Sequence, residues 1–152
     1  GSHWFLPVTP GTSQVTLAGA IANDVHGKNH HRRGSFACHV QSFLLMRGDG
    51  SRLRCSREEN SELFFATLGG LGLTGLILEA DIRMMRVPGL GLEAETRRLA
   101  HLDHFSELSA ESQDWEYTVA WIDCLAPESQ LGRGLFGRGR HVPGEAPITL
   151  PS

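Results

Sequence analysis

The chain has 152 residues, 40% of them apolar and 20% charged, and 17 acidic against 14 basic side chains leave a net charge of −3. This is the composition of an ordinary globular protein with enough apolar residues for a core. It has no overall positive field for nucleic acid or an anionic membrane. Cys38, Cys55 and Cys124 are widely spaced, which argues against a disulfide framework or a four-cysteine zinc site. No run of about eighteen apolar residues is present, so no transmembrane segment is predicted.

The N-terminal part is rich in glycine, hydroxyl residues and turn formers, and its first predicted helix covers residues 15–25. Thr12 or Ser13 would cap this helix, and Gly27 lies just past its end. The segment TPGTSQVTLAGA brings turn glycines and hydroxyls to the helix start, an arrangement that presents backbone N–H groups to phosphate. We therefore expect an anion site near this helix start.

The pattern changes after residue 38, where residues 39–56 predict two short strands. Gly48-Asp49-Gly50 lies between them, and its Asp-Gly pair suits a tight hairpin turn. A short apolar helix is predicted next, over residues 62–68. Its start has two candidate signals, namely Ser61 as N-cap or a capping box of Ser56 with Glu59.

A glycine-rich segment ends this helix and matches the dinucleotide-binding pattern G-x-G-x-x-G at Gly70-Leu71-Gly72-Leu73-Thr74-Gly75. That motif must follow a strand and open a helix, so that pyrophosphate meets the helix N-terminus. Here a predicted helix precedes it, and residues 76–87, rich in branched side chains, predict a long strand after it. The reversed context argues against a Rossmann fold and leaves glycines that allow a close backbone approach or a tight corner.

Pro88-Gly89 marks a predicted domain boundary. Beyond it, the pattern predicts a strand over residues 92–99, an amphipathic helix over 102–112, a buried strand over 116–124 and a glycine-interrupted strand over 132–142. Strands and helices alternate without a repeat, and the hairpin signals favour antiparallel pairing. The expected fold class is therefore α+β.

The stretch VHGKNHH at residues 25–31 concentrates three imidazoles and one ammonium group. A metal site is one interpretation, but Lys28, Arg32 and Arg33 are interleaved with the histidines and would repel a divalent cation. An anion or polar-ligand site fits better, because these cations combine with the directional donors of His26 and Asn29. A solvated basic loop is the remaining alternative.

The runs AIANDVHGKNHHRRGSF and ELFFATLGGLGLTGLI closely resemble the vanillyl-alcohol-oxidase family of FAD enzymes, especially its branch that oxidises decaprenylphosphoryl-ribose. The resemblance covers nearly the whole chain and implies part of a longer protein. Residues 4–88 would form the second subdomain of a PCMH-type FAD-binding domain, with a mixed or antiparallel sheet and flanking helices. Residues 89–152 would begin an incomplete substrate (cap) domain.

The resemblance implies site residues by position. Those for the pyrophosphate and ribityl region, through backbone N–H groups, are Pro10, Gly11, Thr12, Gly19 and Ala20. Those along the isoalloxazine are Asn23, Val25 and His26, with His26 packed beside the ring without a covalent bond. Those near the adenine or flavin side are Leu71, Gly72 and Ile77. The substrate pocket would contain His26, Gly27, Lys28 and Trp121.

The implied reaction is oxidation of a secondary alcohol of a sugar, such as a polyprenyl-phosphate ribose, to a ketone, with hydride transfer to FAD. No catalytic residue is expected within this chain, because the family's catalytic lysine lies in a far C-terminal part. A reductase acting on the keto product is a possible partner, and the expected location is cytoplasmic or membrane-peripheral in a bacterium. Alternatives are an aldonolactone or alditol oxidase and a non-catalytic binding module. Asn23 and Val119 stand where mycobacterial relatives carry cysteine and serine, which bears on substrate identity.

Overall fold

The computed structural model of the chain describes residues 3–144. Within that range, helices accompany antiparallel sheets, as expected for the predicted α+β class. The strands are β1 (His3–Phe5), β2 (Val40–Met46), β3 (Arg52–Ser56), β4 (Leu76–Ile82), β5 (Met85–Val87), β6 (Gly91–Leu99), β7 (Tyr117–Ile122) and β8 (Gly134–Val142). The helices are α1 (Leu17–Ala22), α2 (His30–Arg33), α3 (Ser61–Thr67) and α4 (Leu102–Glu111), and 3-10 turns cover Phe36–His39 and Glu128–Gln130. None of these helices is long and apolar enough to cross a membrane.

The described residues divide into two compact units. The first unit is Phe5–Met85, and the second unit runs from Arg86 onward and includes the N-terminal residues up to Trp4. Each unit contains a three-stranded antiparallel sheet, with strand order β3-β2-β4 in the first and β6-β8-β7 in the second. Residues 145–152 of the predicted second domain lie outside the described range.

The sheet of the first unit is built around the predicted hairpin. The turn at Gly48-Asp49-Gly50 is confirmed, and the Asp49 carboxylate accepts a hydrogen bond from the Ser51 N–H at 2.9 Å. On the central strand, Phe43 lies opposite Cys55 on β3 and Ala80 on β4. Side chains of all three strands therefore point to one face of the sheet, where the core forms.

The core of the first unit joins this face to α1 and α3. Phe43 stacks on Phe64 of α3 with ring centroids 5.1 Å apart, and Ile21 of α1 is fully buried. Burial also raises the pKa of the Cys55 thiol in this cluster. The buried members are Val8, Ala20, Ile21, Phe36, Val40, Phe43, Leu45, Cys55 and Phe64.

The second unit packs α4 against one face of its sheet. Leu99, Leu108 and Phe136 form the buried cluster, and Phe105 of α4 meets Phe136 edge-on at 6.0 Å. Along β8, the alternation that points Phe136 toward α4 also directs Arg138 and Arg140 to that face. Arg138 there pairs with Glu95 at 2.7 Å. The core of this unit is thus small and is extended by ion pairs.

Two predicted elements are shorter than expected. The helix predicted over residues 15–25 covers only Leu17–Ala22, and its N-cap is Thr16, whose Oγ accepts from the Gly19 N–H at 3.0 Å. The predicted long strand over residues 76–87 breaks into β4 and β5 after Ile82, although the Arg83 N–H still donates to the His39 carbonyl at 2.8 Å, in register with the pair of Val40 and Ile82. Strand β5 pairs with β1 instead of continuing along β2.

Three further predictions were wrong in detail. The N-cap position of α3 is Asn60, in a left-handed conformation and without a capping hydrogen bond from its side chain, while Ser56 accepts from the N–H groups of Glu58 and Glu59 in a turn before the helix. Strand β8 runs through its glycines without interruption. Strand β7 is only half-buried, because Trp121 on its outer face is 80% exposed.

Candidate functional site

The histidine loop, defined as residues 25–31, leaves the C-terminal end of α1 with its backbone fixed on both sides. The Val25 N–H donates to the Ala20 carbonyl at 3.1 Å, and the Val25 carbonyl accepts from the Phe36 N–H at 2.8 Å. His26 then forms an isolated antiparallel bridge with Ser35. The loop therefore begins and closes at neighbouring positions, and backbone hydrogen bonds hold its path there.

Asp24 stabilises this closure. Its φ is 43°, a left-handed conformation that aspartate tolerates better than most residues. In that conformation its carboxylate accepts from the Ser35 hydroxyl at 2.9 Å and from the Ala37 N–H at 2.8 Å. The sequence interpretation missed this residue, although an Asn-Asp pair after a helix is typical of a left-handed turn.

Two residues of the histidine loop face inward. Asn29 is 1% exposed and donates from Nδ2 to the Pro7 carbonyl at 2.7 Å. Gly27 is also buried, and a Cβ at this position would lie 2.8 Å from the Thr9 carbonyl oxygen. Because these two positions fix the backbone against residues 7–9, the side chains between and beside them are exposed to solvent.

The exposed residues of the loop are His26, Lys28, His30 and His31. The His26 and His30 rings meet edge-on with centroids 6.0 Å apart, and His30 and His31 do so at 6.2 Å. His30 Nδ1 lies 3.3 Å from the Gly27 carbonyl, so this nitrogen is the donor. Within residues 3–144, no group of three or more histidine, cysteine, aspartate or glutamate side chains has the geometry of a metal site.

The glycine loop, defined as residues 69–75, is held at the same end of α1. The Gly69 N–H donates to the Ile21 carbonyl at 3.1 Å, and the Leu71 N–H donates to the Ala22 carbonyl at 2.8 Å. Helix α3 precedes this loop and strand β4 follows it, which is the reversed order expected from the sequence. Leu71 and Leu73 are 69% and 88% exposed.

The two loops therefore converge on the last turn of α1. The glycine loop donates to the last two carbonyls of this helix, and the first of them, that of Ile21, also accepts from the Asp24 N–H at 3.1 Å. Asn23, the C-cap, lies where the histidine loop departs, and its Nδ2 donates to the Gly19 carbonyl at 2.9 Å. One rigid element thus positions a loop of imidazoles with an ammonium group and a loop of exposed leucines.

Trp121 lies in the second unit on the sheet face opposite α4. Ala120 and Ile122 pack on the core, so the alternation of β7 places Tyr117, Val119 and Trp121 on the other face. Trp121 is opposite Leu135 of β8, which is 50% exposed, and the next positions of β8 on this face are glycines. The face is an open apolar surface with a large aromatic side chain near one end.

Comparison with known proteins identifies the family. No protein-family model matches the chain. The chain is 41% identical over 138 residues to decaprenylphosphoryl-β-D-ribose oxidase of Mycolicibacterium smegmatis, which is 89% of this chain and 30% of that protein. It is 40% identical over 144 residues to an uncharacterized protein of Streptomyces coelicolor, which is 94% of this chain and 39% of that protein. It is 39% identical over 136 residues to cytokinin dehydrogenase 7 of Oryza sativa subsp. japonica, which is 86% of this chain and 25% of that protein.

The chain belongs to the vanillyl-alcohol-oxidase family with a PCMH-type FAD-binding domain. This confirms the resemblance drawn from the HGKNHH and glycine-rich runs. The M. smegmatis oxidase and the O. sativa dehydrogenase are FAD-binding oxidoreductases. The chain spans between 25% and 39% of the length of the three relatives just described.

The residues that family membership suggests for the FAD pyrophosphate lie at two places. Pro10, Gly11 and Thr12 form the exposed or half-exposed turn ahead of α1, where the Thr12 hydroxyl accepts from the Gln14 N–H at 3.2 Å. Gly19 and Ala20 lie inside α1, and their N–H groups already donate to the Thr16 hydroxyl and carbonyl at 3.0 and 2.9 Å. The N–H groups of Gly19 and Ala20 are therefore already hydrogen-bonded within the protein.

The remaining positions suggested by family membership also lie in different places. Asn23, Val25 and His26 follow one another from the end of α1, and Leu71 and Gly72 come to that end through the glycine loop. Ile77 is a residue of β4, where it lies opposite Leu45 of β2 and packs against the core. Gly27 is buried beside Thr9, whereas Lys28 next to it is exposed.

Proposed function

We propose that this chain is part of an FAD-dependent oxidoreductase, with residues 4–88 in the FAD-binding domain and residues 89–152 at the start of the substrate domain. The observation that carries the proposal is the convergence of the histidine loop and the glycine loop on the end of α1. This convergence brings the exposed imidazole and ammonium groups of one loop and the exposed leucines of the other to the same end of the helix. The identity of 41% over 89% of the chain with the M. smegmatis oxidase supports the same proposal.

The residues present fit a flavin. An isoalloxazine has flat apolar faces and a polar edge, so it needs apolar contact and directional donors together. Leu71 offers the first, and His26 and Lys28 offer the second. Gly72 has a φ of 77° and no heavy atom within 4 Å of a Cβ built on it, so a ligand can approach its backbone closely.

The residues proposed to hold FAD therefore divide by role. His26 would pack beside the ring together with its neighbours Asn23 and Val25, and Leu71 and Gly72 would limit water access. Gly11 and Thr12 would supply backbone N–H donors for the pyrophosphate, and Pro10, which has no N–H, would fix the turn that presents them. Gly19 and Ala20 would contribute a close approach of backbone rather than free N–H groups, and Ile77 would support the site from the core.

The proposed reaction is oxidation of a secondary alcohol of a sugar to a ketone. FAD, when bound, supplies the hydride acceptor for this chemistry. The exposed Lys28 ammonium would attract an oxygen of the substrate or its phosphate, and Trp121 would form one wall of the substrate pocket. The name of the M. smegmatis relative suggests a polyprenyl-phosphate ribose as the substrate class.

Two further points follow from this substrate class. With a lipid-linked phosphoribose as substrate, the proposed location of the enzyme is the bacterial cytoplasm or a membrane surface. The keto product calls for a reductase that reduces it to the epimeric alcohol. The base for the hydroxyl proton is assigned to no residue of this chain.

The test is spectroscopic and uses the complete protein. We expect flavin absorbance bands after purification, a changed spectrum and weaker flavin retention in His26→Ala, and no change in His104→Ala, since His104 lies on α4 in the second unit. Wild-type spectra in both variants would contradict the placement of His26. A colourless protein that does not respond to added FAD would favour a non-catalytic binding module.

Substrate class is tested separately from flavin binding. We expect a farnesyl-phosphoryl ribose analogue to bleach the flavin under anaerobic conditions. Bleaching by an alditol or aldonolactone, with no response to the phosphoribose, would move the protein to the aldonolactone or alditol oxidases. Comparing oxygen with a dye as oxidant identifies the electron acceptor.

A further inference from the structure

A cavity of about 420 Å³ lies in the first unit, at the end of the sheet where β2 begins. Strand β2 runs antiparallel to β3 and β4, with Ser42 opposite Ser56 and Val40 opposite Ile82. Residues just before β2 and just after β3 and β4 must therefore lie at the same end of the sheet. Those residues are His39, Arg57 and Arg83, and all three line the cavity.

The spacing of these side chains follows from the strand order. Because β2 is the central strand, His39 lies between the two arginines, whose strands are separated by about 10 Å, or twice the usual interstrand distance. Arginine side chains on both flanks can therefore reach the same small group. A pair of guanidinium groups is a donor set suited to a phosphate.

Other contacts fix the backbone at this end of the sheet and the side chains of His39 and Arg57. The Arg83 N–H donates to the His39 carbonyl at 2.8 Å, and His39 Nε2 donates to the Arg33 carbonyl at 2.9 Å. The Arg57 guanidinium carbon lies 5.8 Å from the Phe64 ring centroid and 5.6 Å from that of Phe65. Ordering these groups before binding lowers the entropic cost of holding a ligand.

The positive charge of the cavity is only partly compensated. Within the described range, neither Arg57 nor Arg83 forms an ion pair, whereas Arg54 on β3 is paired with Asp81. Glu58 is the acidic side chain of the lining, and its carboxylate accepts from the Ser56 hydroxyl at 3.2 Å. Two guanidinium groups against one carboxylate leave a net positive cavity.

We propose that this cavity binds the phosphate group of a small soluble phosphorylated molecule, held by Arg57 and Arg83 with His39 between them. The cavity exceeds the size of inorganic phosphate and has the volume of a site for a small organic molecule. The proposal does not depend on the flavin function, because none of its residues belongs to the histidine loop or the glycine loop.

The experiment measures binding of inorganic phosphate to the complete protein by calorimetry and by ³¹P line broadening. We expect Arg57→Ala and Arg83→Ala each to weaken the affinity about tenfold, as for loss of a charge-assisted hydrogen bond. Arg52→Ala is the matched control, since Arg52 is exposed at the opposite end of β3. Arg57→Lys, which keeps the charge above the phenylalanine rings, should fall between wild type and Arg57→Ala.

Three results would overturn the proposal. They are no phosphate binding by the wild-type protein, an equal loss in Arg52→Ala, and unchanged affinity in both cavity variants that retain the wild-type thermal midpoint. Co-sedimentation with phosphatidylglycerol vesicles separates the sources of phosphate. Arginine-dependent vesicle binding without binding of inorganic phosphate would assign the cavity to a lipid headgroup and would also end the proposal.

Discussion

The two units of the chain stabilise their sheets in different ways. In the first unit, a continuous apolar cluster connects the sheet to α1 and α3, with Phe43 and Ile21 fully buried. In the second unit, the buried cluster is smaller, and charged pairs such as Glu95 with Arg138 continue along the face that carries Phe136. The difference explains why exposed, donor-rich loops are found in the first unit: a deep core fixes the helix that anchors them.

The comparison predicts that removing a ring from the deeper core has the largest effect. Phe43→Ala removes a side chain that stacks on Phe64 and contacts no solvent, and it should lower the free energy of unfolding by about 4 kcal/mol. The measurement is urea unfolding followed by circular dichroism. Phe65→Ala is the control, because Phe65 is 54% exposed and should cost much less.

The same variant sharpens the proposed link between core and site. In the complete protein, Phe43→Ala should also reduce flavin retention, whereas Phe136→Ala should destabilise the protein without changing the flavin spectrum, since Phe136 belongs to the other cluster. If both variants reduced flavin retention equally, the proposal that only the core of the first unit supports the flavin site would be wrong.

The next largest effect is expected at the end of the glycine loop. Gly75 has a φ of 148°, and a Cβ there would lie 2.4 Å from the Met46 carbonyl oxygen. Gly75→Ala should therefore destabilise the protein by about 2 kcal/mol and shift the start of β4. Gly48→Ala serves as the control, because no heavy atom lies within 4 Å of a Cβ at that position. Equal thermal midpoints for the two variants would contradict this account of the loop.

How far the sequence predicts this structure depends on how local each determinant is. The hairpin at residues 48–50 was predictable because an Asp-Gly turn carries its own geometry. Helix α1 was predicted too long, because Asp24 leaves the helical region to bind Ser35 and Ala37, which are more than ten residues away. The break before β5 has a similar origin, because β5 pairs with β1 at the start of the chain and not with β2.

The candidate site shows a similar limit. Both loops were found from their residue types, and the reversed context of the glycine motif was predicted correctly. Their meeting at α1 depends on backbone bonds from Gly69 and Leu71 to Ile21 and Ala22, about fifty residues apart, which no local pattern encodes. Sequence therefore predicted the chemistry of the loops but not their convergence.

A smaller effect is expected at the start of the helix that anchors both loops. Thr16→Ala removes the hydroxyl that accepts from the Gly19 N–H, and it should cost about 1 kcal/mol of stability. Thr16→Ser keeps this acceptor and should remain near wild type. Hydrogen exchange at the Leu71 amide reports whether the weakened helix also loosens the glycine loop. Unchanged protection in Thr16→Ala would show that the loop does not depend on the stability of the helix start.

The smallest effect concerns the charged face of the second unit, and it depends on pH. Hydrogen bonds from Arg97 and then Arg138 hold the pKa of Glu95 below its ordinary value of 4.5. The folded protein therefore favours the carboxylate. The resulting stabilisation is fully present above pH 4.5 and is lost as the pH falls through the lower folded-state pKa. Because Glu95 is 38% exposed, solvent screening keeps the effect small.

Glu95→Gln tests this pH dependence. Its thermal midpoint should lie below that of wild type at neutral pH, and the gap should narrow as the solution is acidified below pH 4.5. Glu107→Gln, on the exposed surface of α4, should show no such pH-dependent gap. A gap for Glu95→Gln that stayed constant through acid would mean that the ion pairs beside Phe136 add packing rather than charge, and the contrast between the two units would then be one of core size alone.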